Sequence, residues 1–223
     1  MNAVNIAVDG PSGAGKSTLA RRLAARLHYI YVDTGAMYRA IAYHTLRCRA
    51  EDEEAVTALL PMIHVSLRYE DGVQRVLLNG EDVSDVIRTP EVSMAASRVS
   101  AIPAVRTFLL GMQRQLAAEQ SVVMDGRDIG TVVLPDAQVK IFLTATAEKR
   151  AERRFLELEQ KQPGAQTYEE VLADVIQRDK QDTERETAPL RQADDAVLVD
   201  TTNADLDQSE EMLLAVCREK LGL

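Results

Sequence analysis

The 223-residue chain has no tryptophan, and only six tyrosines and three phenylalanines. So few rings do not make a stacking platform for single-stranded nucleic acid. Positive charge is also short: 26 Lys and Arg against 35 Asp and Glu leave a net charge of -9. That balance repels a phosphate polymer and tells against nucleic acid as a partner, so any anionic ligand must be held by a local basic cluster. Two cysteines, Cys48 and Cys217, are too few for a disulfide framework; both are expected to be small buried hydrophobes in a reducing compartment. No apolar run approaches the ~18 residues of a membrane span, and the N-terminus lacks the basic-then-apolar layout of a signal peptide. The expectation is a cytoplasmic protein, a monomer with no membrane partner. Also missing is an Asn-Lys-x-Asp guanine reader, because none of Asn2, Asn5, Asn79 and Asn203 precedes a lysine.

What is present is a repeated apolar rhythm. Residues 4–8, 29–32, 121–124, 139–143 and 196–199 form short continuous apolar runs, the first four ending at Asp9, Asp33, Asp125 and Thr144. Unbroken apolarity suits strands covered on both faces. Helical patterns lie between them, such as Leu19, Leu23 and Leu27 at four-residue intervals, and Thr167 with Glu170 spells a capping box. Alternating strands and helices predict one α/β domain over 1–223, three-layered around a five-stranded parallel sheet. Residues 62–100 break the rhythm: alternating Val65, Leu67, Tyr69, Val76 and Leu78, turns at Asp71-Gly72 and Asn79-Gly80, then a helix opened by Thr89-Pro90. This reads as an inserted α+β lobe. Pro163-Gly164 interrupts two charged helices and marks a short lid at about 155–167.

The most informative stretch follows the first strand. Gly10, Pro11, Ser12, Gly13, Ala14, Gly15, Lys16 and Ser17, with Thr18 behind them, fit the Walker A pattern. Glycines let successive N–H groups curl around a phosphate, and the following helix aims its positive end at the same anion. Lys16 is expected on the β- and γ-phosphates of ATP, with the Ser17 hydroxyl ligating Mg²⁺ directly and Asp125 steadying that ion through water. A small-molecule kinase further needs a second anion site lined by arginines. Asp33 to Arg39, Asp125 to Thr131, and Arg178, Asp182 and Arg185 on one late helix face are the candidates. The first two segments fall at the carboxyl ends of strands, where ligands bind in open α/β sheets.

GPSGAGKST, DTGAMYR, IRTPEVSMAASRVS, DGRDIGTVVLPDAQVKIFL and RDKQDTERETAPL occur here in an order that resembles the bacterial cytidylate kinases over about residues 4–221. The resemblance implies transfer of the ATP γ-phosphate to CMP or dCMP, as part of pyrimidine metabolism. It implies that Ser97, Arg106 and Asp128 read cytosine. Thr34 and Asp182 would meet the ribose, Thr34 standing where many relatives have serine. Arg39, Arg127, Arg178 and Arg185 would hold the monophosphate, although Lys180, Gln181 and Thr183 stand where relatives often carry more arginines. Lys16, Arg127, Arg178 and Arg185 are the expected catalytic residues. Arg150, Arg153 and Arg154, on the helix leading to the lid, are expected to close over the ATP phosphates. The alternatives are a kinase of UMP or AMP, or a non-catalytic ATP-binding switch.

Overall fold

A computed structural model describes residues 3–70 and 73–222. The Asp71-Gly72 turn expected from the sequence lies outside the described residues. In chain order the elements are β1 Asn5–Asp9, α1 Lys16–Leu27, β2 Ile30–Asp33, α2 Thr34–Cys48 and α3 Glu53–Leu59. Next come β3 Val65–Glu70, β4 Val73–Leu78, β5 Glu81–Asp82, α4 Pro90–Val99 and α5 Pro103–Glu119. The rest are β6 Val122–Gly126, β7 Val139–Thr144, α6 Ala147–Lys161, α7 Tyr168–Glu184, β8 Val197–Asp200 and α8 Leu206–Leu221. Five strands form one parallel sheet in the order β2-β6-β1-β7-β8. The strands run on to the acidic or hydroxyl residue that ends each apolar run, because the ladder continues there: Asp9 lies opposite both Gly126 and Phe142. The sequence places those residues just outside; the backbone pairing takes them in.

The two faces of the sheet are set by the two-residue period of a strand. Ile6, Val8, Val123 and Ile141 pack with Leu19, Leu23, Leu213 and Cys217 of α1 and α8. Ala7, Val122 and Met124 point the other way, to Ala117, Ile129 and Val133. A third cluster joins Met37 and Ile41 of α2 to Val65, Val76, Leu78, Val92 and Val99 of the antiparallel segment and to Leu109 of α5. The segment over 65–99 therefore has no core separate from that of α2. Its helix begins at Pro90, with the Thr89 side chain accepting from Val92 N. Asn79 and Gly80 both have positive φ, 51° and 85°, as the two-residue turn between β4 and β5 requires. Thr167–Glu170 and Asp205–Gln208 form reciprocal capping boxes at the starts of α7 and α8.

Two polar side chains fasten this segment to the edge strand. Gln74 Oε1 accepts from Asp33 N at 2.9 Å, and the Tyr69 hydroxyl donates to Tyr31 O at 3.2 Å. No helix among the described residues is long and apolar enough to cross a membrane.

The cysteine expectation holds for one residue and fails for the other. Cys217 is fully buried, and burial pushes its thiol up to about 12. Cys48 is exposed, because α2 outlasts its apolar face and its last turn, from Arg47, stands in solvent. A thiol-reactive dye at pH 8 is therefore expected to label one cysteine in the folded protein and two after denaturation, with Cys48→Ser removing all native-state labelling. Rapid labelling of both thiols in the folded protein would contradict the packing of α8.

Candidate active site

The loop after β1 obtains its shape from backbone that only glycine adopts freely. Gly10 has φ 149°, and a Cβ there would overlap the Leu143 carbonyl oxygen of the neighbouring strand. Gly15, at φ 84°, is the N-cap of α1, whose first residue is Lys16. The Lys16 side chain is buried, with Nζ donating to Pro11 O at 2.7 Å across the loop. Burial first, and the Arg127 charge second, push its ammonium down from 10.5 to about 7, against the pull of Asp125, Asp182 and Asp9. Beside it the Ser17 hydroxyl donates to Asp125 Oδ2 at 2.9 Å, while Tyr31 donates to Asp125 Oδ1 at 2.9 Å. Burial and then the Asp33 charge push the Asp125 carboxyl up to about 6. Ser17 and Asp125 are hard oxygen donors on one side of the loop, a set that suits Mg²⁺. Among the described residues no group of three or more His, Cys, Asp and Glu is placed to hold a metal. A Mg²⁺ ion would draw most of its shell from phosphates and water.

Across the carboxyl ends of β2 and β6 stands the second half of the site. Asp128 opens a single π-turn over Ile129–Val133 and is buried. The turn is seated by Asp9, whose two carboxylate oxygens accept from Ile129 N (2.8 Å) and Gly130 N (2.7 Å). Arg106 of α5 donates to Asp128 and, at 3.0 Å, to Ser100 O, and its guanidinium lies 5.5 Å from the Tyr38 ring centroid. Ser97 on α4 is half-buried and donates to Gln181 Oε1 of α7 at 3.3 Å. Arg127 Nε donates to Asp182 at 2.7 Å. Arg39 pairs with Asp33 at 3.0 Å, and Asp33 also caps α2 through Ala36 N.

The arginines here outnumber their partners. Arg39 Nε and Arg185 Nη2 are buried with no hydrogen-bond partner among the described residues. Arg185 follows the last residue of α7 and reaches back to 3.9 Å from Asp182 and 3.8 Å from Asp128. Burial, and then the Arg127 charge, lower the Arg178 guanidinium, with Arg154 and Arg39 adding repulsion. Burial and then Arg106 lower Arg185 in the same way. Guanidinium groups crowded this closely, with buried N–H groups unsatisfied, are a site for an anion with several oxygens.

Other residues expected on the ligands are occupied otherwise. Thr34 is buried, its hydroxyl donating to Asp125 O at 2.7 Å, so only its oxygen lone pairs face further contacts. Arg150 is buried beneath the phosphate loop rather than above it. Its guanidinium donates to Ser12 O (2.8 Å) and Ala145 O (2.9 Å) and forms a double bond pair with Asp179 (3.1 and 2.6 Å). Arg153 is turned to Thr201 O (2.6 Å) and Ala204 O (3.4 Å) in the loop after β8. Of the three, Arg154 alone is near the arginine cluster, with Glu157 3.8 Å away as its partner. The sequence reading passed over Asp9, Tyr31, Asp179 and Gln74. Asp9 had a signal, as a carboxylate directly before the glycine loop; the others show none until the strands are aligned.

A family model described as cytidylate kinase matches residues 6–219. The cytidylate kinase of Syntrophotalea carbinolica is 52% identical over 217 residues, covering 96% of this chain and 92% of that one. That of Caldicellulosiruptor saccharolyticus is 48% identical over 224 residues, covering 100% and 99%. A solved structure of an uncharacterized protein from Eubacterium ventriosum has a TM-score of 0.53 at 13% identity, covering 95% of this chain and 96% of that one. That likeness concerns the fold alone.

The position of Arg150 yields a test. Arg150→Ala leaves two carbonyls and a carboxylate without their donor, and is expected to cost about 2–4 kcal/mol in urea denaturation. Asp179→Asn, which leaves both carbonyl bonds in place, should cost roughly half as much. An Arg150→Ala protein of unchanged stability but raised KM for ATP would put the guanidinium on the nucleotide instead.

Proposed function

The chain belongs to the cytidylate kinase family, and from that premise we propose how its residues divide the work of moving the γ-phosphoryl group of ATP to CMP or dCMP. The observation that carries this reading is the crowd of guanidinium groups around Arg178, with buried N–H groups of Arg39 and Arg185 lacking partners among the described residues. Arg127 joins the two halves, since its charge acts on both Lys16 and Arg178.

On the donor side, the loop from Gly10 to Thr18 wraps the polyphosphate, and Lys16 leaves the Pro11 carbonyl for the β- and γ-phosphates. The anion restores the proton that burial weakens at Lys16 Nζ. Mg²⁺ bound between nucleotide and Ser17, with Asp125 behind, supplies charge neutralisation on the phosphates. On the acceptor side, Arg39, Arg127, Arg178 and Arg185 grip the monophosphate, and Asp182 and Thr34 lie beside the sugar. Asp128 accepts from the cytosine amino group, and Arg106 and Ser97 complete the base contact. Uracil would set a carbonyl against the Asp128 carboxylate, leaving buried groups unpaired at about 1–3 kcal/mol each.

Transfer is direct and in line, with no phosphoenzyme. Such a transition state is loose, and its charge is met by Lys16 and the arginines. Exclusion of water by the antiparallel lobe and by the hairpin of α6 and α7 keeps the phosphoryl group from hydrolysis. Nucleotide substrates support a cytoplasmic location. A non-catalytic switch would have no use for the second cationic pocket, and an AMP kinase would have to fit a purine against Asp128 and Arg106.

Two variants separate the roles. Arg178→Ala is expected to lower kcat by about 10³-fold with the urea midpoint unchanged. Asp128→Asn should instead erode the preference for CMP over UMP by about tenfold. Near-normal kcat in the first, or an intact preference in the second, would remove that residue from its assigned role.

A further inference from the structure

The Ser97 hydroxyl has one proton and two lone pairs, so its polarity towards a base depends on where the proton goes. Ser97 lies on α4 and Gln181 on α7, two helices in contact, and α7 is tied to Asp128 through Asp182, beside Gln181, and Arg185. The proton of Ser97 is committed to Gln181 Oε1 at 3.3 Å. The same direction of donation runs along the pocket wall. Ser100 donates to Ser97 O at 2.9 Å, Arg106 donates to Ser100 O at 3.0 Å, and Arg106 donates to Asp128. The first two of these acceptors are backbone carbonyls and leave the Ser97 hydroxyl to Gln181, so the side-chain acceptors offered to a base are the Asp128 carboxylate and Ser97 Oγ.

An exocyclic amino group carries two protons and is matched by two acceptors. A carbonyl at the same ring position carries only lone pairs and would meet both head-on. We infer that Gln181 is a specificity-determining positioning residue: by taking the Ser97 proton, it makes that hydroxyl an acceptor and so favours an amino-bearing pyrimidine over a keto-bearing one. Gln181 itself touches no substrate. The inference rests on the reading of Ser97 and Asp128 as base contacts.

Gln181 is exposed on its helix, so substitutions of similar length leave the fold intact. The experiment is kcat/KM for CMP and for UMP in Gln181→Glu, Gln181→Met and Gln181→Lys, alone and with Ser97→Ala. The two substrates share ribose and phosphate, so their ratio is blind to a general loss of closure or of phosphate affinity. Glutamate only accepts, and its CMP-to-UMP ratio should stay within about twofold of the unmodified enzyme. Lysine only donates, turns the Ser97 proton towards the base, and should lower the ratio about tenfold, chiefly through KM. Methionine frees the hydroxyl and should fall between them. In the Ser97→Ala background the lysine change should add nothing. If glutamate lowers the ratio and lysine preserves it, the polarity is reversed and the inference is overturned. It is overturned as well if Ser97→Ala lowers the ratio and no Gln181 variant does, in which case the base contacts stand. If Ser97→Ala leaves the ratio unchanged, the inference and the assignment of Ser97 fall together.

Discussion

Burial of cations, with repulsion among them second, is the constraint around which this protein is arranged. Arg178 is surrounded by the charges of Arg127, Arg154 and Arg39, and Lys16 is weakened by Arg127. Such a cluster is costly in a folded chain and persists where carboxylates divide it. Asp33, Asp182, Asp128 and Asp179 do so, each held to an arginine: Arg39, Arg127, Arg106 and Arg150. The pairing is incomplete, and the N–H groups left over at Arg39 and Arg185 point to phosphate as the missing counter-charge. A chain of net charge -9 thus gathers its positive potential in one cleft.

The fold delivers these groups by aligning strand ends. The order β2-β6-β1-β7-β8 sets Asp33 beside Asp125, Asp9 one residue further along and Thr144 two beyond that, all at the strand ends next to the glycine loop. Each then serves as a fastener. Asp9 seats the turn that bears Asp128, Asp125 anchors Ser17, Asp33 caps the helix that carries Arg39, and the Thr144 carbonyl holds Thr201. Arg150 carries this wiring from the loop at Ser12 to Asp179, the residue after Arg178. Donor and acceptor halves are thereby connected through side chains as well as through the sheet.

Much of this was legible in the sequence, for particular reasons. The glycine loop is legible because each residue type in it has a local task, and Gly10 shows how strict that task is against Leu143. The helix at Pro90 and the capping boxes at Thr167 and Asp205 are local signals, complete within four residues. Arg150 is the opposite case. It stands three and four positions before Arg153 and Arg154 on the same helix, yet the three guanidinium groups go to Ser12 and Asp179, to Thr201, and to the cleft. Which of them faces a phosphate depends on helix phase and on partners more than 25 residues away, which spacing does not encode. Tyr31 and Gln74 were illegible for the same reason: a residue inside an apolar run and one in a hairpin become polar partners of Asp125 and Asp33 only once β2 is flanked by β6 and the hairpin. Cys48 shows the limit of composition, where a frequently buried residue type falls on the exposed last turn of a helix.

The central claim is that two separate cationic pockets bring two phosphates end to end. The most direct measurement is a crystal structure with CMP and a non-hydrolysable ATP analogue bound together, giving the distance and angle between the acceptor phosphate oxygen and the γ-phosphorus. The account predicts an in-line approach at about 3–3.5 Å, with Arg39, Arg127 and Arg178 on the acceptor phosphate and Lys16 on the donor. A separation of about twice that distance in the closed enzyme, or a sideways approach with those arginines still on Asp33 and Asp182 alone, would contradict it.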